Sequence, residues 1–102
     1  MTETFTWSSP ASQSVSQRAH IGVVASGDLE LLLEPALDTA SVRIATVVAG
    51  HRKTWETVLE RFFQRHPYAV TIEINDHGAT PGMVWLRLEQ AMELALKEEP
   101  CP

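Results

Sequence analysis

Residues 21–34 read IGVVASGDLELLLE, and the rest of the chain is organised around this stretch. Two apolar runs flank the polar triplet Ser26-Gly27-Asp28. Gly27 tolerates the positive φ of a tight turn and Asp28 can hydrogen-bond its own backbone, so the pattern predicts a β-hairpin with the triplet at its tip. The two predicted strands are Ile21–Ala25 and Leu29–Leu33. We therefore expect an exposed Ser26 hydroxyl beside a glycine that gives it little steric cover.

The composition indicates a single domain with a modest core. The chain has 102 residues, of which 44% are hydrophobic, enough for one core without metal or disulfides. Its net charge is −5, and Arg52-Lys53 is the one adjacent basic pair, which argues against nucleic-acid binding. The single cysteine, Cys101, can form no internal disulfide, as is typical of a reducing compartment. Without a bilayer-length apolar run or a signal peptide, we expect a cytoplasmic protein that does not bind membranes.

Further segments carry strand or helix periodicity. Alternating apolar residues predict strands over 42–48 and 70–74. Between them, apolar residues at i, i+3, i+4, i+7 and i+8 predict an amphipathic helix over 55–63, which begins after an N-cap at Thr54 or a few residues earlier. In a second predicted helix, Thr80 is the N-cap and Pro81 the first residue. The apolar face of this helix carries Val84, Leu88, Ala91, Met92 and Ala95.

The predicted fold is α+β: a small single domain with a mainly antiparallel sheet of about four strands and two helices packed on one face, in the order β-β-β-α-β-α. We expect residues 1–17 to form a polar N-terminal arm, residues 18–97 the folded domain and residues 98–102 a C-terminal tail. Within the arm, alternation over residues 4–7 suggests a short edge strand, and residues 8–17 suggest a loop. Trp7 either packs onto the sheet, which we favour, or docks a partner.

No familiar catalytic template surrounds the predicted turn. Ser26 is not in a G-x-S-x-G elbow because Val24 and Asp28 occupy the glycine positions, and a hairpin tip lacks the second donor of an oxyanion hole. The four histidines show no metal-ligand spacing. Asp76-His77 is either half of a metal or acid–base site or, more commonly, a turn that caps a helix. We therefore expect neither catalytic residues nor a metal site.

Two motifs occur together in this chain. The first is VVASGDLE at residues 23–30; the second is DHGATPG at 76–82, followed by LRLEQ at 86–90. With the helix over 55–63 between them, they resemble the acyl carrier (delta) subunit of bacterial malonate decarboxylase. The resemblance spans roughly residues 18–96, in the same order and with similar spacing.

The resemblance implies a role for Ser26 as the attachment point of a prosthetic group. In the family this serine carries 2′-(5″-phosphoribosyl)-3′-dephospho-coenzyme A through a phosphodiester. From the turn chemistry described above, we expect Gly27 and Asp28 to form the turn that supports the attachment. The thiol of this phosphopantetheine-like arm exchanges acetyl for malonyl, which partner subunits decarboxylate with release of CO2. The chain would then be a non-catalytic acyl carrier domain over 18–97. Implied partners are the transferase and decarboxylase subunits, a malonyl transferase and a prosthetic-group transferase.

Several alternatives stay open at this point. The acyl carrier subunit of citrate lyase bears the same kind of group, although GATPG at 78–82 favours malonate decarboxylase. An unmodified scaffolding subunit would use Ser26 only as a turn residue. A small serine hydrolase is disfavoured by the missing base and oxyanion hole. Asp28 either orients the Ser26 hydroxyl or fixes the turn.

Overall fold

The computed structural model describes residues 2–97, so the predicted tail at 98–102 lies outside the described residues. The described residues form six strands and two helices, two strands more than the predicted sheet. The elements are β1 (Glu3–Pro10), β2 (Gln13–Ser14), β3 (Ala19–Gly22), β4 (Leu29–Pro35), β5 (Thr39–Thr46), α1 (Arg52–Arg65), β6 (Tyr68–Asp76) and α2 (Pro81–Leu96). The fold is the predicted α+β domain.

The strands lie in the order β1-β5-β6-β4-β3, and β2 pairs with the start of β6. Three of the five pairings are antiparallel: β1 with β5, β3 with β4, and β4 with β6. The pairing of β5 with β6 is parallel, because helix α1 crosses over between these two strands. The sheet is therefore mixed, with antiparallel pairs in the majority.

The sheet buries one face only. In β4, Leu29, Leu31 and Leu33 are buried, whereas Leu32 between them is 40% exposed. Helix α2 packs against β3 and β4, and α1 against α2 and β1. The charged side chain of Glu73 in the central strand β6 is exposed, as expected for an uncovered face. The prediction that both helices share one face is confirmed.

The N-terminal segment differs from the loop predicted for residues 8–17. Strand β1 continues to Pro10, and its eight residues pair with β5. Val15 is buried, and the backbone N–H groups of Ser16 and Gln17 donate to the Ala95 carbonyl at 2.8 and 3.1 Å. An edge strand is held through its backbone, so a polar, serine-rich sequence can form one without showing an apolar pattern.

Aromatic packing ties β1 to the first helix. Trp7 stacks on Phe63 with ring centroids 5.2 Å apart, and Phe63 meets Phe62 edge to face. Of the two interpretations of Trp7, the structure supports packing onto the domain, where the ring is half-buried. The aromatic stripe of α1 is core.

The helix ends largely match their sequence signals. Thr80 accepts a hydrogen bond from the Met83 N–H at 3.2 Å, and Pro81 is the first residue of α2, as predicted. All five residues of the predicted apolar face of α2 are buried. Helix α1 begins at Arg52 after His51, so the earlier start is correct and Thr54 is not its N-cap.

Candidate functional site

Ser26 lies exposed in the loop over residues 23–28 that joins β3 to β4. The predicted hairpin is confirmed, because these strands pair from Ala19–Leu33 to Gly22–Glu30. The first strand ends at Gly22 rather than at the predicted Ala25. Gly22 has φ +83°, and a Cβ there would lie 2.0 Å from the Leu29 carbonyl oxygen. The two strands therefore approach closely at this glycine before the chain leaves the sheet.

Gly27 joins the loop to the turn that follows β6. Its N–H donates to the His77 carbonyl at 2.7 Å, and the His77 N–H donates to the Asp28 carbonyl at 2.9 Å. These two bonds extend the β4–β6 pairing beyond the strand ends. Gly27 has φ +78°, and apart from Gly27 and its two chain neighbours no described residue has an atom within 4 Å of the position that a Cβ would occupy. The backbone of Gly27, next to Ser26, is thus fixed by hydrogen bonds, and the space where a side chain would lie is open.

Asp28 links the loop to helix α2. Its Oδ1 accepts from Arg87 Nε at 3.1 Å, and its Oδ2 accepts from Arg87 Nη2 at 2.8 Å. Oδ1 also accepts from the Leu29 N–H at 2.7 Å. These bonds brace the turn, which favours the second of the two roles left open by the sequence. Arg87 itself was missed as a site residue, although it lies within the LRLEQ motif quoted above.

The ion pair also sets the ionisation of both partners. Hydrogen bonds from the Arg87 guanidinium and the Leu29 N–H lower the pKa of Asp28 below its usual value. The same contact raises the pKa of Arg87. The carboxylate stays charged and bonded at neutral pH, so the loop is braced under ordinary conditions.

Asp76 holds together the turn of the second motif, ahead of the N-cap at Thr80. This buried side chain accepts from the Thr46 hydroxyl at 2.7 Å, the Ala79 N–H at 3.0 Å and the Gly78 N–H at 3.3 Å. Of the two interpretations of Asp76-His77, the structure supports the turn. Across residues 2–97, no group of three or more His, Cys, Asp or Glu side chains is placed to hold a metal ion. Neither helix within that range is long and apolar enough to span a membrane.

An exposed hydroxyl on a braced loop is compatible with a carrier domain, which presents one group to other proteins. The sequence model of the family described as malonate decarboxylase delta subunit (MdcD), an acyl carrier protein, matches residues 16–95. The chain belongs to this family, as the two motifs predicted. It is a carrier rather than a catalytic subunit, and membership implies a covalently attached prosthetic group.

Individual relatives agree with the family assignment. Over 93 residues the chain is 46% identical to the malonate decarboxylase acyl carrier protein of Azotobacter vinelandii, covering 89% of this chain and 94% of the relative. It is 55% identical over 83 residues to the protein of the same name from Stenotrophomonas maltophilia, covering 78% of each. A chain in the crystal structure of a Pseudomonas malonate decarboxylase hetero-tetramer in complex with malonate is similar in fold. Its TM-score is 0.86 at 45% identity, over 91% of this chain and 98% of that one.

Proposed function

We propose that this chain is the acyl carrier subunit of a malonate decarboxylase complex and that its prosthetic group is attached to Ser26. The observation that carries the proposal is the contrast between Ser26 and its neighbours. Ser26 is exposed, whereas Gly27 is bonded to His77 and Asp28 to Arg87. A modifying enzyme thus meets an accessible hydroxyl on a fixed support.

The proposed group is 2′-(5″-phosphoribosyl)-3′-dephospho-coenzyme A, joined to the Ser26 Oγ by a phosphodiester. The residues present fit such a group, because Ser26 is exposed and the space beside Gly27 is open, so a bulky phosphodiester on Ser26 would displace no packed side chain. When bound, the group supplies a thiol that carries acetyl, exchanges it for malonyl, and regains acetyl when the malonyl thioester loses CO2.

The chain's own residues position this arm rather than perform chemistry. The Asp28–Arg87 pair and the Gly27–His77 bond hold the base of the arm in one place on the sheet. Tethering raises the effective concentration of the carried group at a docked partner to the order of millimolar. Groups that stabilise the developing enolate would belong to the decarboxylating partner.

Partner subunits are part of the same proposal. A relative of this chain was crystallised in a malonate decarboxylase hetero-tetramer, which supports assembly with transferase and decarboxylase subunits. A malonyl transferase and a prosthetic-group transferase would act on the same arm in turn. The net charge of −5 favours basic docking surfaces on these partners. A cytoplasmic location is also proposed, from the single cysteine of the sequence.

Intact mass of the protein purified from its native host tests the attachment. We expect an added mass equal to the phosphoribosyl-dephospho-coenzyme A group, and tryptic mapping should place it on the peptide of residues 19–43. Ser26→Ala, made in the same host, should lack the addition. An unmodified native protein, purified with its partners, would contradict the proposal and favour the scaffolding role.

A further inference from the structure

A cavity of about 240 Å³ lies between the first turns of the two helices and the ends of β5 and β6. Its only buried polar side chains are Thr46 and Asp76, and these are hydrogen-bonded to each other. Asp76 is further occupied by backbone N–H groups of the following turn. The interior is therefore mainly apolar. Its apolar walls are Val48, Trp55, Val58, Ala79, Pro81 and Val84.

The cavity lies next to the Ser26 loop. Gly78 forms part of its wall, and a Cβ on Gly78 would lie 3.8 Å from the Gly27 nitrogen. The Gly27 N–H is bonded to the His77 carbonyl. A chain attached to Ser26 thus starts one residue from the backbone that borders the cavity, and a flexible arm can turn back over Gly78 to reach it.

The size and apolar lining of the cavity indicate which part of such an arm would fit inside it. An apolar cavity of about 150 Å³ binds benzene, so 240 Å³ accommodates a small uncharged group of somewhat greater length. The other polar lining residues, His51, Thr54 and Thr80, are exposed and lie at the opening, where a phosphate would stay. Moving its charge inward among the apolar walls would be costly. The thiol or acetyl-thioester end with its adjoining methylenes is uncharged and narrow, and suits it well.

We propose that this cavity receives the thiol or acetyl-thioester end of the arm between visits to partner enzymes, an inference that rests on the proposed attachment at Ser26. The tether supplies an effective concentration of the order of millimolar, so an intrinsic Kd of about 1 mM would keep the cavity about half filled. Occupancy of this kind shields the thioester from water and stray thiols, yet leaves the end free to enter a partner's site.

The first test compares ¹H–¹⁵N and methyl NMR spectra of the unmodified, thiol and acetyl forms of the full chain. We expect chemical-shift changes at Val58 and Val84 and at the Trp55 indole, in addition to those beside Ser26. Trp7, which stacks on Phe63 near the C-terminal end of α1, does not line the cavity and serves as the internal reference. Changes confined to residues 23–28 would overturn the proposal.

The second test measures how fast the arm thiol reacts with dithiodipyridine. This reagent is neutral, so the net charge of −5 does not repel it. Cys101→Ser removes the one cysteine of the sequence and leaves the arm as the sole thiol. Relative to free dephospho-coenzyme A, we expect a rate about two- to tenfold lower, corresponding to an intrinsic Kd between about 1 and 0.1 mM.

A cavity-filling variant gives this measurement a matched control. Val58→Phe places a larger side chain at the cavity wall and should restore the rate to that of the free thiol. Thr57 is a β-branched neighbour that is exposed and does not line the cavity, so Thr57→Phe should keep the slow rate. Thermal melts of both unmodified variants show whether each folds. The NMR comparison needs no variant and decides the matter if Val58→Phe does not fold.

The two proposals fail in distinguishable ways. A native protein without the added mass removes the attachment at Ser26. A loaded protein whose thiol reacts as fast as the free one, with no shifts at Val58 or Val84, leaves the carrier function in place and removes only the cavity's role.

Discussion

Asp28 and Arg87 lie 59 residues apart in the sequence and form a two-point ion pair, with Nε–Oδ1 at 3.1 Å and Nη2–Oδ2 at 2.8 Å. The pair joins the loop that bears Ser26 to the helix of the second motif. Two planar groups matched in this way resist rotation as well as separation. The position of the loop is therefore tied to the position of α2.

Arg87→Met should destabilise the protein at pH 7 in a manner that depends on pH. The pKa of Asp28 is lower in the folded state than in the unfolded state. The ion pair therefore contributes fully to the free energy of unfolding above the pKa of an unfolded aspartate, about 3.9. This contribution is lost as the pH falls through the lower pKa of the folded state. We expect the stability difference between wild type and variant, measured by urea unfolding, to shrink steadily below about pH 4. Arg61→Met, on the exposed side of α1, is the control. An equal loss at pH 7 and at low pH would contradict the ion-pair explanation.

Ser26→Ala should separate folding from function. The hydroxyl is exposed, so its removal should change the free energy of unfolding by less than about 0.5 kcal/mol. The assembled complex, in contrast, should lose malonate decarboxylation because no arm can be attached. Ser12→Ala, at another exposed loop serine, should keep both properties. Decarboxylation by the Ser26→Ala complex would show that the arm is attached elsewhere.

Alanine at three glycines, two in the hairpin loop region and one in α2, should lower the stability of the protein to different degrees. Gly22→Ala should be the most harmful, because its Cβ would collide with the Leu29 carbonyl at 2.0 Å. The Cβ of Gly27→Ala would lie in open space. The free energy of unfolding should therefore fall only by the cost of a left-handed conformation for alanine, about 1–2 kcal/mol. Gly82, in the first turn of α2 and equally open, should tolerate alanine without loss. Thermal melts rank the three; similar behaviour of Gly22→Ala and Gly27→Ala would refute the close approach.

Phe62→Ala should destabilise the core but leave attachment of the arm at Ser26 unchanged. Phe62 is fully buried and packs against Phe63 and Trp85. Removing its ring would leave a void in the core, so the free energy of unfolding should fall by about 3–5 kcal/mol. Denaturant unfolding measures the loss, and intact mass shows whether the folded fraction still carries the arm. Gln64→Ala, exposed on the same helix, is the matched control. A loss below 1 kcal/mol, roughly, would mean that this face is not core.

The core elements were predictable because burial leaves a periodic trace in the sequence. Strand β6 alternates around Ile72 and Ile74, and α2 repeats apolar residues around Leu88. The cap at Thr80 was predictable for a local reason, since its hydrogen bond spans only three residues. Patterns of this range need no knowledge of what packs against them.

Other features left no such trace. The length of β1 and the presence of β2 depend on backbone pairing with distant strands, which any side chain permits. Strand β3 ends at Gly22, where φ is +83° and the backbone lies close to Leu29. A sequence pattern marks Gly22 as permissive but does not say which backbone atom will lie beside it.

By itself, the sequence determined the hairpin, the two helices, the one-sided core and the motif that places Ser26 at a turn, because each follows from periodicity or turn chemistry within a few residues. Tertiary structure alone decided that Asp28 bonds Arg87 rather than Ser26, that the Gly27 N–H donates to the His77 carbonyl, and that a cavity lies beside this loop. These contacts join residues separated by about fifty positions or more, and their partners are chosen by how the sheet and helices pack.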